Sequence, residues 1–141
     1  MAMAVAEVTA DDVVYDIGSG NGKVVIYAAK KYGCRAVGVE LDARIAGISR
    51  EAVAKNGVQN LVTIRHEDAL KSDLSDATVV FLFHQTGFLE LLRTQLERLS
   101  VGTRVVFLDH PPEWLKLTPA TTLKVGEHEH RIYMWEVPHE R

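Results

Sequence analysis

The stretch Val13-Val14-Tyr15-Asp16-Ile17-Gly18-Ser19-Gly20-Asn21-Gly22-Lys23 limits the fold more than any other. It is a β-branched and aromatic run stopped by three alternating glycines, with the apolar positions of a helix directly behind them. Strand, glycine loop and helix open a parallel βα unit, whose loop lies where such sheets bind ligands. Glycines there let backbone approach a ligand with no Cβ in the way. They also cost folding entropy, which favours a loop that holds something over a bare turn.

The rest of the chain repeats the rhythm. Val24, Val25, Ala28 and Ala29 form the stripe of a helix over Lys23–Tyr32, closed by Gly33. Arg35–Glu40 reads as a second strand, and Asp42 can cap a helix running to about Asn56. Residues 61–66 and 78–83 read as strands three and four, the latter apolar enough for burial on both faces. Leu89, Leu92, Leu96 and Leu99 predict one helix over 88–99, and 103–108 is a fifth strand stopped by Pro111-Pro112. After Pro119, residues 121–126 and 131–137 form a hairpin joined through 126–130. The expected fold is α/β: a doubly wound Rossmann-like sheet of five parallel strands plus a C-terminal antiparallel hairpin, in one domain over 1–141. About a dozen residues precede the first strand, little for a lid.

Composition excludes several classes. A net charge of −3 with no long block of either sign gives no electrostatic footprint for nucleic acid. No apolar run nears the ~20 residues of a membrane span. Residues 1–8 carry Glu7 and no basic flank, unlike a signal peptide. The one cysteine, Cys34, allows no internal disulfide and suits a reducing cytoplasm, where it reads as a buried small hydrophobe. The expectation is a soluble cytoplasmic protein.

Three ligands compete for the loop. A triphosphate loop needs G-x-x-x-x-G-K-[ST], but Ile17 stands at its first glycine and Val24 at its hydroxyl. A dinucleotide loop needs G-x-G-x-x-G, and its third glycine falls on Lys23. The observed spacing is G-x-G-x-G behind Asp16. That carboxylate would repel a pyrophosphate and suits a ligand bearing an ammonium and a sulfonium. Glu40, ending the second strand, can accept both hydroxyls of a ribose, in a dinucleotide or another nucleoside ligand.

Asp16-Ile17-Gly18-Ser19-Gly20-Asn21-Gly22 resembles the first motif of class I S-adenosylmethionine-dependent methyltransferases. The resemblance implies S-adenosyl-L-methionine as cofactor, held by Asp16, Gly18, Ser19, Gly20, Gly22 and Glu40, with Leu41 over an adenine face. It also implies that Asp68, after the third strand, accepts from the adenine amino group while the Ala69 amide meets the ring. Segments 14–26 and 36–41, with the closing strand 131–138, are similar to small bacterial and archaeal proteins. Those proteins are related to lysine methyltransferases that modify ATP synthase c-subunits. The acceptor so implied is an amine, a protein lysine above all. The alternatives are a small-molecule acceptor, or a non-catalytic cofactor-binding module that needs a partner to act.

The chain departs from many amine methyltransferases at the end of the fourth strand. Phe83-His84-Gln85-Thr86 stands where an Asn/Asp-Pro-Pro-aromatic signature is common. His84 there is either a proton acceptor or a polar strand cap. Gln85 could hydrogen-bond an amine, and His110 is a further acceptor-side candidate. His128 and His130 alternate onto one face with Glu127 and Glu129 nearby, but they lack a third placed ligand, so no metal is expected. Trp114 and Trp135 read as packing residues, Trp114 with the option of rimming the acceptor site. A short chain with an open cleft or sheet edge implies a homodimer.

Overall fold

Alternation along each strand decides the architecture. The computed structural model describes residues 2–83 and 86–138, so the candidates His84 and Gln85 lie outside the described residues. Strands β1 (Val13–Ile17), β2 (Arg35–Glu40), β3 (Val62–His66), β4 (Val79–Leu82) and β5 (Arg104–Leu108) run parallel. With β6 (Thr121–Val125) and β7 (His128–Glu136) they make one sheet, ordered β3-β2-β1-β4-β5-β7-β6. The order reverses between β1 and β4, so the carboxyl ends of these strands flank the crevice where such sheets bind ligands.

Each face buries its own core. Val14, Ala36, Ile64, Phe81, Val106 and Ile132 share one core with the buried residues of helices α2 (Lys23–Tyr32) and α3 (Ala43–Lys55) and with Met3, Ala6 and Val8. Tyr15, Val37, Val80, Val105, Phe107 and Tyr133 point the other way, onto Leu89, Leu92, Leu96 and Leu99. Cys34 is fully buried in the first cluster.

Three elements differ from the sequence expectation. The helix expected over 88–99 is two short ones, α4 (Thr86–Leu91) and α5 (Arg93–Glu97). The N–H of Leu92 is shared between the carbonyls of Phe88 and Leu89, which tightens the backbone there without turning the leucine stripe from the core. Helix α1 (Ala2–Val5) precedes β1 and is too short to show a period, yet Met3, Ala6 and Val8 are buried. The guanidinium of Arg104 ties this segment down by donating to the Ala6 carbonyl and the Asp12 carboxylate. Strand β7 begins at His128 rather than 131, because the hairpin turns on two residues, with Gly126 at φ 62° in its first position. Within the hairpin, β7 pairs with β5 and β6 lies outside it. The apolar run Ile132-Tyr133-Met134-Trp135 takes the inner place, and the threonine- and lysine-bearing β6 takes the exposed edge.

Candidate functional site: a carboxylate-lined cleft at the strand ends

The loop after β1 is built by hydrogen bonds that continue the β1–β2 ladder. Gly18 and Ser19 both donate N–H to the Val39 carbonyl, at 2.8 and 3.1 Å, and Gly22 donates to Ser19 at 3.0 Å. Gly18, Gly20 and Gly22 all have positive φ, at 73°, 56° and 84°. Gly22 meets a second restriction, since a Cβ there would lie 2.5 Å from the Ser49 hydroxyl, whose oxygen is buried without a hydrogen-bond partner among the described residues.

Glu40 fastens this loop to the next strand. Its Oε1 accepts from Gly20 N–H at 2.8 Å and its Oε2 from Asp42 N–H at 3.0 Å. Asp42 in turn caps α3 by accepting from Arg44 and Ile45. His66 reaches across from the end of β3, Nε2 to the Leu41 carbonyl at 3.1 Å. Asp68 accepts from Leu70 N–H and opens a single 3₁₀ turn, Ala69–Lys71. Gln95 on α5 donates to the Ala69 carbonyl at 3.0 Å. The ends of β1, β2 and β3 are thus one hydrogen-bonded rim.

Between them opens a cleft of about 180 Å³ lined by Gly18, Val39, Glu40, Leu41, Glu67, Asp68, Ala69 and Phe88. Five of these were singled out in the sequence. Leu41 is 68% exposed and stands over the cleft as an uncovered apolar side chain. Val39, Glu67 and Phe88 were missed. Phe88 comes from α4, after a different strand, and no local spacing connects it to the glycine loop. Gly20 and Gly22 shape the loop without lining the cleft. The Ser19 hydroxyl turns away from the cleft, buried and without a hydrogen-bond partner among the described residues.

That inward turn requires Gly38. A Cβ at Gly38 would lie 2.6 Å from Ser19 Oγ, 2.8 Å from its Cβ and 3.0 Å from Ile64 Cδ1. Gly38→Ala should therefore cost about 1–3 kcal/mol by overpacking. Ser19→Gly in the same chain should return most of it, measured by urea unfolding. An equal loss in the single and double variants would contradict this packing.

Asp16, in β1, is not among the residues that line this cleft. It is 5% exposed, with no cation paired to it among the described residues. Burial, with the Glu40 carboxylate as a second cause, pushes its pKa up to about 7. A buried carboxylate beside another carboxylate is a seat for an incoming positive charge. S-adenosylmethionine brings that charge as an ammonium, so the donor set fits the cofactor that the motif implies.

The remaining candidates lie elsewhere on the sheet. Trp114 packs edge-on against Trp135 with centroids 5.5 Å apart, under the Arg93 guanidinium. His130 and Asp109 form a pair at the end of β5, with Nδ1 to Oδ2 at 2.7 Å. That bond, the Arg131 N–H and the charge of the two neighbouring histidines hold the Asp109 carboxyl below its ordinary range, against slight desolvation. Among the described residues no group of three side chains is placed to hold a metal, and no helix is long and apolar enough to cross a membrane.

Comparison with known proteins gives the family. The profile of the ANTKMT methyltransferase domain matches residues 16–117. A protein-lysine N-methyltransferase of Saccharolobus islandicus is 40% identical over 143 aligned positions, covering 96% of this chain and 85% of that protein. The adenine nucleotide translocase lysine N-methyltransferase of Mus musculus is 34% identical over 125 positions, 86% of this chain; the chain spans only 52% of that enzyme's length. Among solved structures, an RNA methyltransferase from Salinibacter ruber in complex with S-adenosyl-L-homocysteine superposes with a TM-score of 0.89 at 37% identity. That superposition covers 99% of this chain and 90% of the other. This chain belongs to the ANTKMT methyltransferase family and is an S-adenosylmethionine-dependent class I methyltransferase.

Proposed function

We propose that the chain, working as a single domain over 1–141, transfers a methyl group to the ε-amine of a protein lysine. The observation that carries this reading is the 40% identity to the Saccharolobus protein-lysine methyltransferase, along nearly the whole chain and most of that enzyme. Asp16 would receive the cofactor's ammonium, and Glu40 the ribose hydroxyls through the lone pairs its two backbone donors leave free. Leu41, Phe88, Asp68 and the Ala69 amide would hold the adenine, with Glu67 at the rim. Gly18, Gly20 and Gly22 give the loop its close approach, and Ser19 locks it from beneath. The bound cofactor supplies a methyl on a good leaving group, so positioning a neutral amine in line does much of the catalysis. We read the enzyme as cytoplasmic, in keeping with its lone buried thiol, and the open edge of β6 leaves room for a second copy.

Incubation of the purified protein with tritiated S-adenosylmethionine and cell extract tests this reading. Label should enter protein and, after acid hydrolysis, run with N-ε-methylated lysines. Label released by ribonuclease instead would move the acceptor to RNA, the class named for the Salinibacter neighbour.

A further inference from the structure

Folding separates charges that are mixed along the chain. Helices α2 and α3 carry six basic residues, Lys23, Lys30, Lys31, Arg44, Arg50 and Lys55, against one acid, Glu51. The other ten basic residues share the rest of the chain with eighteen acids. Among the described residues no carboxylate pairs with any of the six, whereas Arg35, Arg65, Arg93 and Arg104 are each ion-paired. Arg50 is spent on the Ile64 carbonyl, to which it donates at 2.9 Å. The other five are exposed and leave uncompensated positive charge on the solvent side of the two helices.

A groove of about 430 Å³ lies between the helices among these charges. Ile26, Tyr27, Ile48 and Ala52 give it an apolar lining, edged by Lys23 and Lys30 and free of carboxylates. Ile48 is 46% exposed, an uncovered apolar side chain. Lys30 donates across the groove to Asn56 Oδ1 at 3.2 Å, which leaves two ammonium protons for a ligand. The cleft at the strand ends has the opposite character, with Glu40, Glu67 and Asp68 in its lining and no cation. The glycine loop joins the two, since Gly18 lines the cleft and Asn21 the groove. Three residues hold their Cα atoms within about 11 Å of each other. The loop therefore crosses the carboxyl edge of the sheet, from the face of Val39 and Ala69 to the face of Ile26.

We infer that the groove between α2 and α3 docks an acidic segment with an apolar anchor, part of the protein whose lysine enters the cleft. The occupant's role as substrate rests on the protein-lysine reading above. An aliphatic side chain set against Ile48 and Ala52 leaves water, and flanking carboxylates meet the ammonium groups of Lys23 and Lys30. About four extended residues span the distance from groove to cleft wall, so one chain can occupy both. A peptide fits this lining better than a nucleic acid. Phosphates favour guanidinium forks and bases favour open aromatic faces, whereas the cations of the groove are lysines. Tyr27 is already met edge-on by Tyr32, with centroids 6.4 Å apart, and by Lys31 Nζ, 5.7 Å from its ring centre.

The double variant Lys30→Glu, Ile48→Ser tests the docking without touching the cofactor site. The probe is a fluorescent synthetic peptide with one lysine, a Gly-Ser spacer of about four residues and a leucine–glutamate segment. Its control carries glutamine for every glutamate. By anisotropy, wild type should bind the glutamate peptide about tenfold more tightly than the control. It should also methylate that peptide with a KM lower by the same factor and an equal kcat. The double variant should lose the preference and keep its cofactor affinity, cooperative unfolding and kcat. Raising the salt should shrink the preference in wild type. Equal binding of the two peptides by wild type overturns the inference, as does a preference that survives in the double variant. Tighter binding of polyuridylate or of phosphatidylglycerol vesicles, lost in the double variant, would give the surface to RNA or lipid and also overturn it. Groove-dependent peptide binding with no label in lysine fails the protein-lysine reading and removes the occupant's role as substrate, leaving the acidic docking site.

Discussion

Asp16→Asn should weaken cofactor binding strongly and, at the same time, make the unliganded protein more stable at neutral and alkaline pH. In the unfolded chain this carboxyl ionises near its ordinary value of 3.8, whereas in the folded protein it does so at about 7. Below pH ~4 both states hold the proton, and the group contributes nothing to the pH dependence. Between pH ~4 and 7 the folded state binds more protons than the unfolded, so stability falls as pH rises. Above that window the folded state carries the whole penalty, on the order of 4 kcal/mol. The asparagine does not titrate. Its stability relative to wild type should therefore grow by that amount between pH ~4 and 8, equivalent to a relative melting-point gain of about 10 °C. Thermal unfolding of both proteins at the two pH values measures it; parallel curves would refute a buried, uncompensated carboxylate.

Glu40→Ala should act the other way on the unliganded protein. The substitution leaves Gly20 N–H and Asp42 N–H without the carboxylate that holds them at 2.8 and 3.0 Å. Charge-assisted bonds of this kind are worth about 1.5–3 kcal/mol each. A loss near 2 kcal/mol is expected, because both donors gain access to water and repulsion of Asp16 is relieved. That relief applies only where Asp16 is ionised, so the loss should be smaller at pH 8 than at pH 5. Cofactor affinity should fall about 10²–10³-fold, since the ribose loses two acceptors as the loop loosens. Calorimetric titration of Glu40→Ala beside Glu40→Gln checks both parts. A glutamine offers only one acceptor oxygen and should lie between alanine and wild type. Unchanged affinity in both variants would place the ribose elsewhere.

Much of the site could be read along the chain because each of its parts sits at the end of one strand. Asp16, Glu40 and Asp68 follow three consecutive β-branched runs, and parallel topology brings such ends to one edge whatever the intervening helices do. Phe88 escaped because it reaches that edge through another element. The ring of Phe88 arrives on a helix behind β4. The contact of His130 with Asp109, a residue 21 positions away, escaped in the same way, because antiparallel pairing brings the two together. The same limit hid the true extent of β7. His128 to His130 look like loop because they are polar, yet they continue the ribbon beyond the sheet, where neither face requires apolar residues. The placement of the Ser19 hydroxyl could not be read either: it lies beneath the loop, in space left by the missing side chain of Gly38.

The decisive measurement is calorimetric titration of the purified protein with S-adenosylmethionine, S-adenosylhomocysteine and NAD⁺ at pH 7, in two buffers of different ionisation enthalpy. A carboxyl with a pKa of about 7 is half protonated there. Seating an ammonium against it should expel about half a proton per cofactor bound. The account predicts binding of the first two ligands with that proton release, none of NAD⁺, and no release in the Asp16→Asn variant at any residual affinity. Binding of S-adenosylmethionine with the same heat in both buffers would contradict the claim that Asp16 is the seat of the positive charge. Binding of NAD⁺ alone would contradict the assignment of the cleft itself.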